Sequence, residues 1–276
     1  MLFDSHAHIN NDSYTEEERE TLIQEIADSD VDYVMDIGFD LPSSMQAVKD
    51  AERLSWCYAA VGVHPHDVKW MDEEMLQMIE QLAGKEKVKA IGEIGLDFYY
   101  NHSQQEEQRY WFRRQIQLAN RLRMPIVIHS RQADQETMDI LKEEGAFSAE
   151  RCSWFGFRKG PEGEPVKDAR VLLHCFSGSR ELASQYVKLG GTISIAGPVT
   201  FKNNRKTAEV AASIPLEFLL VETDAPYLTP EPYRGRKNKS PYVEFTARKV
   251  AELKQIEYEE VTRKTMENAK RFFNIP

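Results

Sequence analysis

Eight short apolar runs, separated by segments of helical character, constrain the fold of this 276-residue chain more than any other feature. Rich in β-branched residues, as buried parallel strands are, the runs occupy residues 2–6, 31–37, 58–64, 88–94, 125–129, 171–175, 192–196 and 218–222. Amphipathic segments between them include residues 16–27, 71–83, 105–122, 133–144 and 180–189. This alternation predicts one α/β domain over residues 1–276, a single (β/α)8 TIM barrel with C-terminal closing helices within 243–273. An open doubly wound sheet is the structural alternative, but the glycine-rich loop expected after its first strand is missing.

Most histidines of the chain stand at the ends of these runs. His6 and His8 end the first run, and His129 and His174 end the fifth and sixth. Because functional residues of such barrels project from the carboxyl ends of the strands, we expect these side chains to converge. His6 and His8 are two residues apart and share a strand face, so both imidazoles can reach one ion. Asp4 lies on the same face and could accept an imidazole N–H or cap the end of the strand.

Two acidic residues occupy similar places: Glu93 lies near the end of the fourth run, and Asp224 follows the eighth. Each could be a buried salt-bridge partner, and each histidine could be a hydrogen-bonded core residue. A barrel mouth that already carries four imidazoles favours metal ligation for both carboxylates. The predicted metal ligands are therefore His6, His8, Glu93, His129, His174 and Asp224.

Composition disfavours several classes of protein. A net charge of −10 and a pI of about 5.3 have the wrong sign for a protein that neutralises many phosphates of a duplex, although bound cations could still receive phosphate. Three scattered cysteines are too few for a disulfide framework and fit a reducing cytoplasm. No apolar stretch reaches the roughly 18 residues of a membrane span, so we expect a cytoplasmic protein without membrane contact.

The chain also resembles the TatD family of metal-dependent deoxyribonucleases over almost its whole length. The motifs that carry the resemblance are DSHAH at 4–8, GVHPH at 62–66, GEIGLDFYY at 92–100, PIVIHSR at 125–131, HCFSG at 174–178 and ETDAPYL at 222–228. The resemblance implies two divalent ions bridged by Glu93, with the remaining ligands divided into His6, His8 and Asp224 for one ion and His129 and His174 for the other. Residues 91–97 contain no lysine, which weighs against barrels whose metals are bridged by a carboxylated lysine.

Two ions can activate a water molecule for phosphodiester hydrolysis. The resemblance implies a 3′–5′ exodeoxyribonuclease acting on single-stranded DNA ends, with RNA as a further substrate. Glu93 and Asp224 are the predicted catalytic residues, Asp224 as orienter or base for the water. Imidazole-rich ligation favours Zn²⁺ or Mn²⁺, whereas the family is described as Mg²⁺-dependent. The predicted substrate contacts are His64, His66, Tyr99, Arg131, Phe176, Arg236 and Lys237.

Two other functions stay open at this point. A metal-dependent amidohydrolase acting on a small cyclic amide or ester would use the same ligands, and a binding or scaffold protein could keep the barrel without activity. One segment, residues 146–168, is longer than the connection expected for the family. It joins a helix to the next strand, so we expect a hairpin-like excursion on the N-terminal face, used for packing, self-association or a partner.

Overall fold

The computed structural model describes residues 1–276 and contains an eight-stranded parallel sheet that curls into a barrel. Its strands are β1 (Leu2–Ala7), β2 (Val31–Ile37), β3 (Cys57–Val61), β4 (Val88–Asp97), β5 (Ile126–Arg131), β8 (Val171–Leu173), β9 (Thr192–Ile195) and β10 (Leu219–Val221), in that order around the sheet. The ends of the sheet meet where the N–H of Asp224 donates to the carbonyl of His6 (2.9 Å) and the N–H of His8 donates to that of Ala225 (2.8 Å). The predicted (β/α)8 barrel is confirmed.

Helices cover the outside of the barrel. They are α1 (Glu16–Ala27), α2 (Leu41–Arg53), α3 (Glu73–Ala83), α4 (Gln105–Leu122), α5 (Asp134–Glu143), α6 (Ala149–Phe155), α7 (Arg180–Leu189), α8 (Arg205–Ser213), α9 (Val243–Lys254) and α10 (Tyr258–Phe273). α1 begins at a capping box, in which Thr15 and Glu18 each accept the other's backbone N–H. α1, α4 and α7 have the bounds predicted from sequence, whereas α2 and α8 were not among the predicted helices. None of these helices is both long and apolar enough to cross a lipid bilayer.

The interior of the barrel is filled by a layer of apolar side chains from the strands, namely Phe3, Met35, Ala60, Ala90, Val127, Leu172 and Leu220. α10 closes the N-terminal end, where the ring of Phe273 stacks on that of Phe3 at 6.0 Å between centroids. Alternate residues of a strand share a face, so the next inward positions after this layer include His129, His174 and Glu222. The interior of the barrel is therefore packed with apolar side chains toward its N-terminal end and is polar at its C-terminal mouth.

The segment between α5 and β8 forms α6 and an antiparallel hairpin of β6 (Phe157–Lys159) and β7 (Pro165–Lys167). Buried Arg151 donates to the carbonyls of Ala169 (2.9 Å) and Met124 (2.7 Å), and buried Arg158 donates to the carbonyl of Gly191 (2.6 Å). These carbonyls precede β8, β5 and β9, so the hairpin packs under the N-terminal end of the barrel. This confirms the predicted hairpin and its placement; its use in self-association or partner binding stays a prediction.

Candidate metal centre

The strand ends open into a cavity of about 470 Å³ at the C-terminal mouth of the barrel. Predicted site residues that line it are His8, His64, His66, Glu93, His129, Arg131, His174 and Asp224. His6 is fully buried and is directed at Glu93 from below this lining. The structure thus brings all six candidate metal ligands to one place.

Glu93 lies at the centre of the site. One of its carboxylate oxygens faces one group of candidate ligands, and the other oxygen faces a second group. Its Oε2 lies 3.3 Å from Nε2 of His6 and 3.6 Å from Nε2 of His8, and those nitrogens are 3.3 Å apart. Oδ1 of Asp224 lies 3.7 Å and 3.5 Å from the same two nitrogens. Four atoms placed about 2.1 Å from a tetrahedral ion are about 3.4 Å from one another, so these separations fit a divalent cation.

The other oxygen of Glu93 faces the second group. Oε1 lies 2.7 Å from Nε2 of His174 and 2.9 Å from Nδ1 of His129. These two nitrogens are 3.4 Å apart, again the spacing of atoms that share an ion. A carboxylate with one oxygen toward each group can serve two adjacent cations.

Hydrogen bonds on the outer side of the rings determine which nitrogen is free for a metal. Nδ1 of His8 lies 2.8 Å from the carbonyl oxygen of Ile37 and donates to it, since a carbonyl only accepts. Nδ1 of His174 lies 3.3 Å from Oε1 of Glu222 without a well-aligned hydrogen bond, and the charge of that carboxylate favours a proton on Nδ1. A neutral imidazole has one proton, so Nε2 of both rings keeps its lone pair toward the cavity. Both rings are oriented as ligands.

In His64 the proton lies on the opposite ring nitrogen from that in His8 and His174. Its Nε2 is 3.6 Å from Oε1 of Glu93, close enough by distance alone to be a metal ligand. Its Nδ1 accepts the backbone N–H of His66 at 3.1 Å. Burial and the imidazole of His129 hold the pKa of His64 well below its ordinary value, so the ring is neutral and its proton is on Nε2. His64 therefore presents a hydrogen-bond donor to the cavity, which fits the predicted substrate contact and does not fit a metal ligand.

The carboxylates of the centre remain charged despite their burial. Burial alone would raise the pKa of Glu93, but His174 and the other imidazoles hold it well below its ordinary value. Burial would likewise lower the pKa of His174, but Glu93 and Glu222 hold it well above the usual range. The metal-free centre consequently keeps protons on imidazoles and negative charge on carboxylates. A cation can displace these protons and bind between the same groups.

Metal binding is expected to release protons and to strengthen as the pH rises. Burial lowers the pKa values of His8, His129 and His174, but neighbouring carboxylates outweigh it and leave all three raised. Because a cation must displace these protons, its affinity should fall as the pH drops through and below the raised values. Calorimetric titration with Zn²⁺ in two buffers of different ionisation enthalpy measures the release, and binding without proton release at pH 7 would contradict this expectation.

The rim of the cavity carries aromatic rings and a cation. The guanidinium of Arg131 lies 4.4 Å and 4.7 Å from the ring centres of Tyr99 and Tyr100, which are 53% and 49% exposed. Tyr100 and Tyr227 line the cavity, and the hydroxyl of Tyr227 accepts a hydrogen bond from Asn11 at 3.1 Å. Half-exposed aromatic rings therefore lie at the rim beside the candidate metal ligands.

Four predicted substrate contacts do not line the cavity, and one of them, Tyr99, lies at its rim beside Arg131. Phe176 is buried and its ring packs on Tyr186 at 6.3 Å, which corrects it from a substrate contact to a core residue. Lys237 lies 3.5 Å from the carboxylate of Glu18 and faces α1 instead of the cavity. Arg236 is exposed beside the ring of Tyr233, outside the lining residues.

The first of the two roles considered for Asp4, acceptor of an imidazole N–H, is wrong. Its carboxylate accepts the backbone N–H of Thr223 at 2.9 Å and the hydroxyl of the same residue at 2.6 Å, with no imidazole among its partners. Asp4 therefore joins β1 to the segment that follows β10 and helps to close the barrel.

Sequence reasoning missed two carboxylates of the site, Asp97 and Glu222, of which Glu222 lies 3.3 Å from His174. Asp97 ends β4, and its Oδ2 lies 3.0 Å from Nε2 of His66 and 3.1 Å from Nε2 of His129. A signal was present, because Asp97 follows Glu93 by four positions and residues of even separation share a strand face.

Comparison with known proteins agrees with this geometry. The family model described as TatD related DNase matches residues 3–274. The uncharacterized metal-dependent hydrolase YabD of Bacillus subtilis is 42% identical over 275 residues and is covered completely, as is this chain. The 3′-5′ ssDNA/RNA exonuclease TatD of Klebsiella pneumoniae is 34% identical over 243 residues, which cover 86% of this chain and 85% of that protein. The crystal structure of YJJV, a TatD homologue from Escherichia coli, matches with a TM-score of 0.85 and 27% identity over 100% of this chain and 98% of its own. The chain therefore belongs to the TatD family of metal-dependent hydrolases.

Proposed function

We propose that this hydrolase uses two metal ions to remove nucleotides from the 3′ end of single-stranded DNA or RNA, with residues 1–276 acting as one catalytic unit. The observation that carries the proposal is the position of Glu93, whose two oxygens face separate groups of imidazole nitrogens. Support for the substrate comes from the Klebsiella pneumoniae relative, which is named a 3′-5′ ssDNA/RNA exonuclease.

In this proposal Glu93 would hold two Mg²⁺, Mn²⁺ or Zn²⁺ ions, one through each carboxylate oxygen. The further ligands are His6, His8 and Asp224 on one side and His129 and His174 on the other. Ions in these places would acidify a water molecule and neutralise charge on the attacking and leaving oxygens of a phosphodiester. Most of the ligand atoms are imidazole nitrogens, which suits Zn²⁺ and Mn²⁺ better than Mg²⁺.

In the same proposal Asp224 would orient the attacking water and accept its proton. Burial would raise the pKa of Asp224, but the neighbouring imidazoles of His8, His174 and His6 hold it below its ordinary value, so the carboxylate is ionised. The water oxygen attacks phosphorus and the bond from phosphorus to the 3′ oxygen breaks. The released nucleotide keeps a 5′-phosphate, and the shortened strand gains a 3′-hydroxyl whose proton comes from solvent. His64 can donate from Nε2 to a non-bridging phosphate oxygen in this step.

The rim supports a single strand as substrate. Tyr99 and Tyr100 expose their rings beside Arg131, and stacking of a base on an aromatic side chain is worth about 1–3 kcal/mol. A net charge of −10 disfavours broad neutralisation of the phosphates of a duplex. Affinity should therefore come from the ions and from a few aromatic contacts near the strand end.

The function is tested by incubating metal-loaded protein with single-stranded DNA, single-stranded RNA, duplex DNA and a panel of cyclic amides and lactones. With 3′-labelled single strands we expect labelled mononucleotides as the first product, and with 5′-labelled strands a ladder of shortening fragments. Chelation and His129→Ala should both stop the reaction. Turnover confined to the small cyclic substrates would favour an amidohydrolase, and absence of turnover with every metal would favour a binding protein.

A further inference from the structure

The carboxylate of Asp97 forms hydrogen bonds with two histidines and two tyrosines. Its Oδ1 accepts the backbone N–H groups of Tyr99 (3.0 Å) and Tyr100 (2.9 Å). Its Oδ2 lies 3.0 Å from Nε2 of His66 and 3.1 Å from Nε2 of His129. The residue is completely buried, so water does not compete for either oxygen.

The backbone of Asp97 is fixed as firmly as its side chain. Its N–H donates to Oε1 of Gln108 at 2.8 Å, and Nε2 of Gln108 donates to the carbonyl of Asp97 at 3.1 Å. Gln108 is itself fully buried in α4. The carboxylate therefore has a single orientation in which each oxygen has its own pair of donors.

An ionised carboxylate has no proton, so both imidazoles must donate to Oδ2. Four N–H groups point at the two oxygens, two from the backbone and two from the imidazoles, so neither oxygen has room for a proton of its own. The proton of each neutral ring is therefore on Nε2. For His129 this leaves the lone pair on Nδ1, the atom that lies 2.9 Å from Oε1 of Glu93.

We propose that Asp97 is a positioning residue that fixes the Nε2–H tautomer of His129 and His66, supplying Nδ1 of His129 to the metal centre while holding the Tyr99–Tyr100 rim. The inference rests on the proposed function only in taking His129 as a metal ligand. One buried carboxylate thereby links the second metal position, the wall of the cavity and the surface on which a substrate base would stack. A ligand histidine oriented by a carboxylate is a common arrangement in metal sites, but here the same oxygen also holds a second ring.

Asp97→Asn tests this link with little change in volume. The single carbonyl oxygen of the amide is expected to stay with the backbone N–H groups of Tyr99 and Tyr100, so its NH₂ group faces the two rings. His129 must then accept at Nε2 and carry its proton on Nδ1, where it blocks a metal. We expect one of two Mn²⁺ equivalents to bind about 100-fold more weakly, while the half formed by His6 and His8 keeps its ion.

The matched control is Asp36→Asn. Asp36 is a second buried carboxyl, which accepts the backbone N–H groups of Ile9 (2.9 Å) and Asn10 (3.3 Å) and forms no hydrogen bond with an imidazole. Burial and Asp50 raise the pKa of Asp36 to about 8, so its carboxyl is largely neutral at pH 7 and the amide is a close replacement. Asp36→Asn should bind both Mn²⁺ equivalents with unchanged affinity. Equilibrium dialysis with elemental analysis measures the stoichiometry of both variants.

The inference can also be tested on the unaltered protein, without any variant. Long-range ¹H–¹⁵N correlation spectra of the Zn²⁺-loaded protein should show a proton on Nε2 and metal on Nδ1 of His129, and a proton on Nε2 of His66. Metal on Nε2 of His129, or two tight Mn²⁺ equivalents in Asp97→Asn, would overturn the inference while leaving the nuclease proposal intact. Failure of the loaded protein to shorten nucleic acid would overturn the nuclease proposal alone.

Discussion

Replacing Glu93 with glutamine is expected to remove one ion, to weaken binding of the other and to lower kcat at least about 10³-fold, since loss of the ions' stabilisation of charge costs several kcal/mol. The amide keeps one acceptor oxygen and turns the other position into a donor. In the native residue both positions face imidazole nitrogens, at 2.7 Å on one side and 3.3 Å on the other. The NH₂ group would therefore point at one cation position, and the lost charge weakens the other. Metal stoichiometry and turnover of labelled single-stranded DNA measure the two effects.

The matched control for this prediction is Glu93→Asp, which keeps the charge but shortens the side chain by one methylene. A carboxylate that reaches only one of the two groups should retain one ion per chain, so the aspartate variant is expected to lie between the native protein and the glutamine variant. Two tightly bound ions in Glu93→Gln would show that Glu93 is no bridge.

The second large effect is expected for Asp224→Asn, with kcat reduced about 10²–10⁴-fold, the usual contribution of a general base. Oδ1 of Asp224 faces only the His6–His8 half, at 3.7 Å and 3.5 Å, so the ion between His129 and His174 should stay. The amide can neither take the proton of the water nor supply negative charge. Single-turnover rates on labelled strands, measured over a series of Mn²⁺ concentrations, test this prediction.

Raising the Mn²⁺ concentration separates the two roles of Asp224. If the residue acted only as a ligand, saturating metal would restore native turnover, whereas a residue that also orients the water leaves kcat low at full occupancy. Native kcat in Asp224→Asn at saturating Mn²⁺ would remove Asp224 from the chemistry and leave it as a ligand alone.

Much of the candidate site could be predicted because strand parity and barrel topology place residues without any knowledge of loops. His129 and His174 lie two positions after Val127 and Leu172 of the interior layer, so their inward direction follows from the alternation of a strand. The same alternation would have indicated Asp97, four positions after Glu93. Strand ends are thus the part of this site that sequence specifies best.

Other features depend on parts of the chain that no local pattern connects. Cys175 takes a left-handed backbone conformation with φ of 44°, which redirects Phe176 away from the cavity and into the core. Lys237 is neutralised by Glu18 of α1, a pairing that only the closed barrel creates. The histidine tautomers also depend on contacts between distant parts of the chain. The ring of His8, for example, is oriented by the carbonyl of Ile37 on a neighbouring strand.

The central claim is that Glu93 bridges two cations, and anomalous scattering from crystals soaked in Mn²⁺ tests it most directly. We expect two peaks about 3.5–4 Å apart on either side of the carboxylate, one bounded by His6, His8 and Asp224 and the other by His129 and His174. A single peak, or peaks that do not contact both oxygens of Glu93, would contradict the claim.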